Sequence, residues 1–161
     1  MSAARSALLA AVTFLVMMPE TLPVPVLRGL VVDRFGVGHT LASLFMVANM
    51  LGAIVAAPLA GLWVDRFGRR RRLCVFALVA DALLMQALAH PVDYAIFLGL
   101  RVLEGACHIV ALTLLMSLVA DRAGEHRGRA LGALGVGLTL GVATGAAVGG
   151  VLGRSEPLLT L

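Results

Sequence analysis

Lysine is missing altogether, and cysteine, aromatics and charge are scarce in this chain of 161 residues. Two cysteines make no disulfide framework, and they show no paired metal-ligand spacing. Charged side chains are only 14%, where soluble domains carry about a quarter. Aromatics are 5%, hydrophobic residues 60%, and mean hydropathy is +0.99. That balance excludes a disordered tail and a repeat solenoid as well as a disulfide scaffold. What is present is arginine: all thirteen basic residues, for a net charge of +4 and a pI near 10.4. On a soluble chain this would suggest a nucleic-acid partner. Here the arginines gather at the edges of apolar stretches with no recognition fold, so the chain reads as an integral membrane protein with no nucleic-acid role.

Spanning helices need roughly 20 apolar residues each, which leaves room for about five or six. Five segments emerge, and the chain reads as one all-α, polytopic transmembrane domain over 1–161. The first, about 7–30, is broken by Pro19, Glu20, Pro23 and Pro25; it resembles a secretory leader at its start but has no convincing cleavage site. The others run over about 40–64, 73–89, 92–120 and 130–153, and the remaining residues 154–161 are too few for another crossing. Arg66, Arg69, Arg70, Arg71 and Arg72 lie between the second and third spans, and Arg122, Arg127 and Arg129 between the fourth and fifth. The opposite connections hold Arg28 and Arg34, and none around His90-Pro91. The positive-inside rule then puts the N-terminus in the cytoplasm, in what is expected to be a bacterial inner membrane.

Gly137, Gly141, Gly145, Gly149 and Gly153 recur every four residues along the last span, forming a ridge without side chains on one helix face. In lipid such a ridge admits the backbone of a neighbouring helix. It serves close packing, and it also lets helices rock against one another. Gly52, Ala56 and Ala60 give the second span a milder version.

Asn49, Asp81, Arg101 and Glu20 each lie eight or nine residues from the outer end of their span. At about 1.5 Å per residue this is roughly 12–14 Å deep, near the midplane, where transporters place substrate and ion sites. Each isolated charge there costs roughly 2.5–3.5 kcal/mol, so partners are expected. The third and fourth spans form a hairpin that predicts Asp81 facing Arg101. Arg101, Glu104, Gly105 and His108 share one stripe of the fourth span. Arg101, Glu104, Asp81, Glu20, Asn49 and His108 are the candidate proton-coupling and substrate-pathway residues. A structural ion pair that fixes helix register is the plainer alternative. Met46, Met50 and Cys107 beside His108 offer soft ligands, but methionines on membrane helices usually pack, so no metal site is assigned.

Between the second and third spans the chain reads Gly61-Leu62-Trp63-Val64-Asp65-Arg66-Phe67-Gly68-Arg69-Arg70-Arg71-Arg72. A basic stop-transfer cluster attracted to anionic lipid explains the arginines, about 1 kcal/mol each near a membrane surface, but not the Gly, Asp and Gly spacing. This stretch resembles motif A of the major facilitator superfamily, G-x-x-x-D-R-x-G-R-R. Arg101-x-x-Glu104-Gly105 is similar to its motif B, R-x-x-Q-G, with Glu for Gln. Gly132-x8-Gly141-x3-Gly145-Ala146-x2-Gly149-Gly150 resembles motif C of the drug:proton antiporter branch, with Ala146 for its proline. Pro23-Val24-Pro25 and Asp33-Arg34-Phe35-Gly36 are similar to that branch and to sugar-efflux relatives.

The resemblance implies an all-α transporter working by alternating access on a proton gradient, with no bound cofactor and no enzymatic activity. It implies a gating loop at Gly61, Asp65, Arg66, Gly68, Arg69 and Arg70, proton coupling at Arg101, and packing of Gly132, Gly137, Gly141, Gly145, Gly149, Gly150 and Gly153 against an opposite half. The family has twelve spans and this chain matches the first five, so a truncated product is expected, completed by a missing C-terminal half or by a second copy. The substrate implied is a small drug-like or sugar-like solute, exported across the bilayer. A fragment that binds and modulates an intact transporter is the alternative. A membrane enzyme ranks last, because no nucleophile signature or HExxH pair accompanies Glu104 and His108.

Overall fold

The computed structural model describes residues 3–153. Residues 154–161 and the Arg28 side chain, both used above, lie outside that description. All regular structure among the described residues is helical. In order these are α1 (Ala3–Thr21), α2 (Leu27–Phe35), α3 (His39–Ala42), α4 (Leu44–Phe67), α5 (Arg70–Leu88), α6 (Tyr94–Ala123), a 3-10 turn (Gly124–His126) and α7 (Arg127–Leu152).

Local chemistry sets the boundaries. The first span expected over 7–30 is two helices, because Pro23 and Pro25 cannot donate to a continuing ladder. Turns bridge the gap, with Val24 N–H donating to Thr21 O and Val26 N–H to Pro23 O. Pro19 is accommodated inside α1. Glycine makes the turn after α4: Gly68 ends the helix with φ +64°, its N–H donating to Val64 O at 2.7 Å. A side chain there would cost about 1–2 kcal/mol, so the glycine expected to permit a turn is required by it.

His39–Phe67 and Tyr94–Leu152 are long and apolar enough to cross a membrane by length and composition. The second stretch has 59 residues, roughly 90 Å at helical rise against a core about 30 Å thick; it divides at Gly124, where φ is +54°. α5 is long enough but opens on Arg70, Arg71 and Arg72 and carries Asp81. Large apolar side chains point outward, such as Ile54 at 70% and Val151 at 72% exposure, as lipid-facing surface should.

The helices gather into two compact units, residues 1–30 with 119–161, and residues 31–118. In the first, α1 and the turns that follow it lie against the glycine ridge of α7. Gly137 meets the Ala10 backbone, Gly141 Phe14 and Met17, Gly145 Met18 and Thr21, Gly149 Leu22, and Gly153 Val26. The covering helix is therefore in this chain, which corrects the expectation that the ridge packs against an opposite half. Gly132 stands exposed with open space where a side chain would go, and Gly150 meets only Pro25 at ordinary contact distance. In the second unit, Val64, Cys74 and Leu114 join α4, α5 and α6 at one end. Val31, Phe45, Leu88 and Phe97 are fully buried among its other core residues.

Candidate functional site

Two glycines make the centre of the second unit possible. A Cβ at Gly52 of α4 would run into the Val102 carbonyl of α6, and a Cβ at Gly105 of α6 would run into the backbone of Asn49. The two helices therefore cross backbone to backbone, with each glycine seated against the other helix. This close approach carries the polar side chains next to these glycines into contact. Asn49 Nδ2 donates to Glu104 Oε2 at 2.9 Å, and Arg101 Nη1 donates to the same oxygen at 2.5 Å. Arg101 is 2% exposed and Glu104 0%, so this is an ion pair removed from solvent, formed one turn apart on one helix.

Arg101 has a seat as well as a counter-ion. Its guanidinium lies 4.3 Å from the centroid of the Phe45 ring, and Nη1 lies 3.9 Å from Met85 Sδ. A desolvated cation over an aromatic face gains about 2 kcal/mol. Neither Phe45 nor Met85 was singled out by sequence. Phe45 lies four residues before Asn49 and so shares its face of α4, which is the signal that points to it.

Asp81 does not meet Arg101. Its Oδ2 lies 3.3 Å from His108 Nδ1, and both side chains are mostly buried. This corrects the predicted Asp81–Arg101 pair: of the six pathway candidates, Arg101, Glu104 and Asn49 come together, and Asp81 and His108 form a second pair. Register explains it. Arg101 is opposite Met85, Ala111 opposite Cys74 and Ser117 opposite Arg70. Asp81, one turn below Met85 on α5, therefore falls opposite a residue further along α6 than Arg101. Glu20 sits on the last turn of α1, in the other unit, half-buried.

One end of the second unit is laced together. Arg34 Nη1 donates to Leu88 O at 2.8 Å and Nη2 to His90 O, while Tyr94 Oη donates to Leu41 O. Partial burial lowers the Arg34 pKa from its ordinary value. Arg34 also stacks on Phe35 and Phe97, and Phe97 stacks on Phe45, so an aromatic column leads from this clasp to Arg101.

At the opposite end, Gly61 is exposed inside α4, whereas Gly68 makes the turn. Asp65, Arg66 and Arg69 are exposed, and Arg70 turns inward to Ser117 Oγ at 3.4 Å. The family model described as Major Facilitator Superfamily matches residues 9–156. No curated protein and no solved structure matches the chain.

Proposed function

Because the chain belongs to the Major Facilitator Superfamily, a family of transporters, we propose that it forms helices of a proton-coupled exporter of small drug-like or sugar-like solutes. The observation that carries this reading is the Arg101–Glu104 pair, at 2.5 Å and almost wholly enclosed. An ion pair in this setting gains little as a fold determinant. Its desolvation penalty rivals its attraction, and an apolar pair of the same volume is often as stable. As a switch it does more. A proton taken up on Glu104 cancels the carboxylate charge that faces Arg101, which favours a move of the guanidinium toward another acceptor. Substrate, or a rearranged helix, supplies that acceptor, so protonation and conformation become linked.

In this reading the N-terminus is cytoplasmic in a bacterial inner membrane, and the proton gradient is the energy source. Asp81 with His108, together with Glu20, extends the proton path. The Gly61–Arg70 segment governs passage between inward-open and outward-open states, with Asp65, Arg66, Arg69 and Arg70 making contacts that differ between them. The outer clasp at Arg34 belongs to the closed side. Further helices, from another polypeptide or a second copy, complete the solute pathway.

Reconstitution into vesicles with an imposed pH gradient tests this. Proton-linked efflux of at least one solute is expected, and Arg101→Ala should abolish it while membrane insertion stays intact. Wild-type flux in Arg101→Ala would remove Arg101 from the mechanism. Co-purification with a full-length transporter, without flux from the chain alone, would favour the modulating role.

A further inference from the structure

The formal net charge of the chain resides in a single turn. Residues 65–72 hold five arginines against one aspartate, a net +4, equal to that of all 161 residues. Everything outside this turn is balanced. Four of the five, Arg66, Arg69, Arg71 and Arg72, are exposed, and among the described residues none of them makes an ion pair. Only Arg70 is drawn inward, toward Ser117. A structural cluster would be expected to neutralise itself on nearby acids, and this one leaves its charge outside.

Beside the arginines lies an apolar seat. Trp63 and Phe67 pack with ring centroids 5.1 Å apart at the end of α4, and Arg66 lies over Phe67 at 5.9 Å. Trp63 is 39% and Phe67 53% exposed, and Leu62 beside them is also exposed. Trp63 is the single tryptophan of the chain. Tryptophan at the end of an apolar helix marks the headgroup level of a bilayer, where its ring lies among acyl-chain ends and its N–H reaches water.

We propose that the α4–α5 turn is a binding surface for anionic phospholipid headgroups. Arg71 and Arg72, with Arg66 and Arg69, take the phosphates, and Trp63 and Phe67 seat against the adjoining acyl chains. Charge complementarity selects this occupant: the surface is strongly cationic, its four exposed arginines make no ion pair among the described residues, and the aromatic pair beside them suits the headgroup level. The proposal does not depend on transport.

Trp63 provides the readout. The chain is reconstituted in phosphatidylcholine vesicles doped with either brominated phosphatidylglycerol or brominated phosphatidylcholine, and tryptophan quenching is compared. Each arginine at an anionic surface is worth roughly a fivefold preference before screening. Brominated phosphatidylglycerol should therefore quench at about tenfold lower mole fraction than the zwitterionic lipid. The preference should fall steeply with added salt. The double variant Arg71→Gln/Arg72→Gln should lose most of it, whereas Arg127→Gln/Arg129→Gln, equal in charge, should keep it. Equal quenching by the two lipids in wild type, or a preference indifferent to salt, overturns the proposal. So does an equal loss in both double variants. The salt series needs only wild-type protein, so a variant that fails to fold does not protect the idea.

Discussion

Replacing Gly105 by alanine tests the architecture of the site most directly. A Cβ at this position would sit 2.8 Å from both the carbonyl carbon and the Cα of Asn49, and nearer still to its oxygen. All three are backbone atoms and have no rotamer to yield, so α4 and α6 must separate. Overpacking of this kind costs about 1–3 kcal/mol. Separation also stretches the Asn49–Glu104 hydrogen bond, whose loss adds about 1–3 kcal/mol where the buried acceptor is charged. The total is about 2–6 kcal/mol. Gly99 on the same helix is the internal control, because it is exposed and nothing lies within 4 Å of its added Cβ. Gly99→Ala should be neutral or stabilising by up to about 1 kcal/mol, as expected of alanine in a helix interior. Reversible unfolding in mixed micelles, titrated with a denaturing detergent and followed by helical circular dichroism, measures both. If Gly105→Ala tracks Gly99→Ala, the helices do not cross at this glycine and the site as described is wrong.

Other outcomes follow from the same contacts. In a double-mutant cycle, Asp81→Asn and His108→Ala should couple by about 0.5 kcal/mol or more, whereas Asp81→Asn and Arg101→Ala should be nearly additive; the reverse pattern would restore the depth-matched pair. Glu104→Gln keeps a side chain that accepts from Arg101 and Asn49 but cannot carry a proton, so it should preserve insertion and weaken the pH dependence of flux in vesicles; unchanged pH dependence would clear Glu104 of coupling. Gly141→Leu should expel α1 from the ridge and Gly132→Leu should not, a contrast read as a loss of stability in the same detergent titration.

Sequence reached the turn, the ridge and the polar residues by separate routes, and each route had its own blind spot. Gly68 was legible because a left-handed helix end leaves a glycine at a fixed offset from the last apolar residues. The ridge at Gly137, Gly141, Gly145 and Gly149 was legible because spacing by four defines a face. Its partner was not, since a smooth face does not say which helix covers it. Gly132 fell to the same cause from the other side: it fits a motif spacing but not the ridge period, and the structure leaves it bare.

Depth counting failed differently. It placed Asp81 and Arg101 at one level by treating the two sides of the His90-Pro91 connection as equal. Helix register is set by packing rather than by counting, and the Met85–Arg101 contact shows α6 displaced by about one turn. Depth is one coordinate of three. The stripe on α6, by contrast, survived because i, i+3 and i+4 relations are internal to one helix and need no knowledge of its neighbours. Glu104 binds Arg101 from within that stripe, and His108 extends the same face toward Asp81.

The close crossing and the buried pair belong to one arrangement. Gly52 and Gly105 bring α4 and α6 so near that neither lipid nor a larger side chain can enter between them at this level. That exclusion is what makes the charge state of Glu104 consequential, because in a wetter site water would screen its loss and Arg101 would barely respond. With water kept out, neutralising Glu104 removes a carboxylate charge from beside Arg101, and the contacts of the guanidinium with the Phe45 ring and the Met85 sulfur hold a cation weakly compared with a carboxylate. Phe45 in turn stacks on Phe97, against which the clasping Arg34 lies at one end of the helices. A displacement of Arg101 therefore presses first on Phe45 and Phe97, and in the proposed mechanism this is the path from Glu104 to the Arg34 clasp. Phe45→Leu should accordingly uncouple the two ends: it removes the aromatic seat while leaving the Arg101–Glu104 pair in place. Spin labels at Leu41 and Leu83 should report a separation near the Arg34 clasp that changes with pH in wild type and stays fixed in the variant, and a pH response preserved in Phe45→Leu would break the coupling at its middle link.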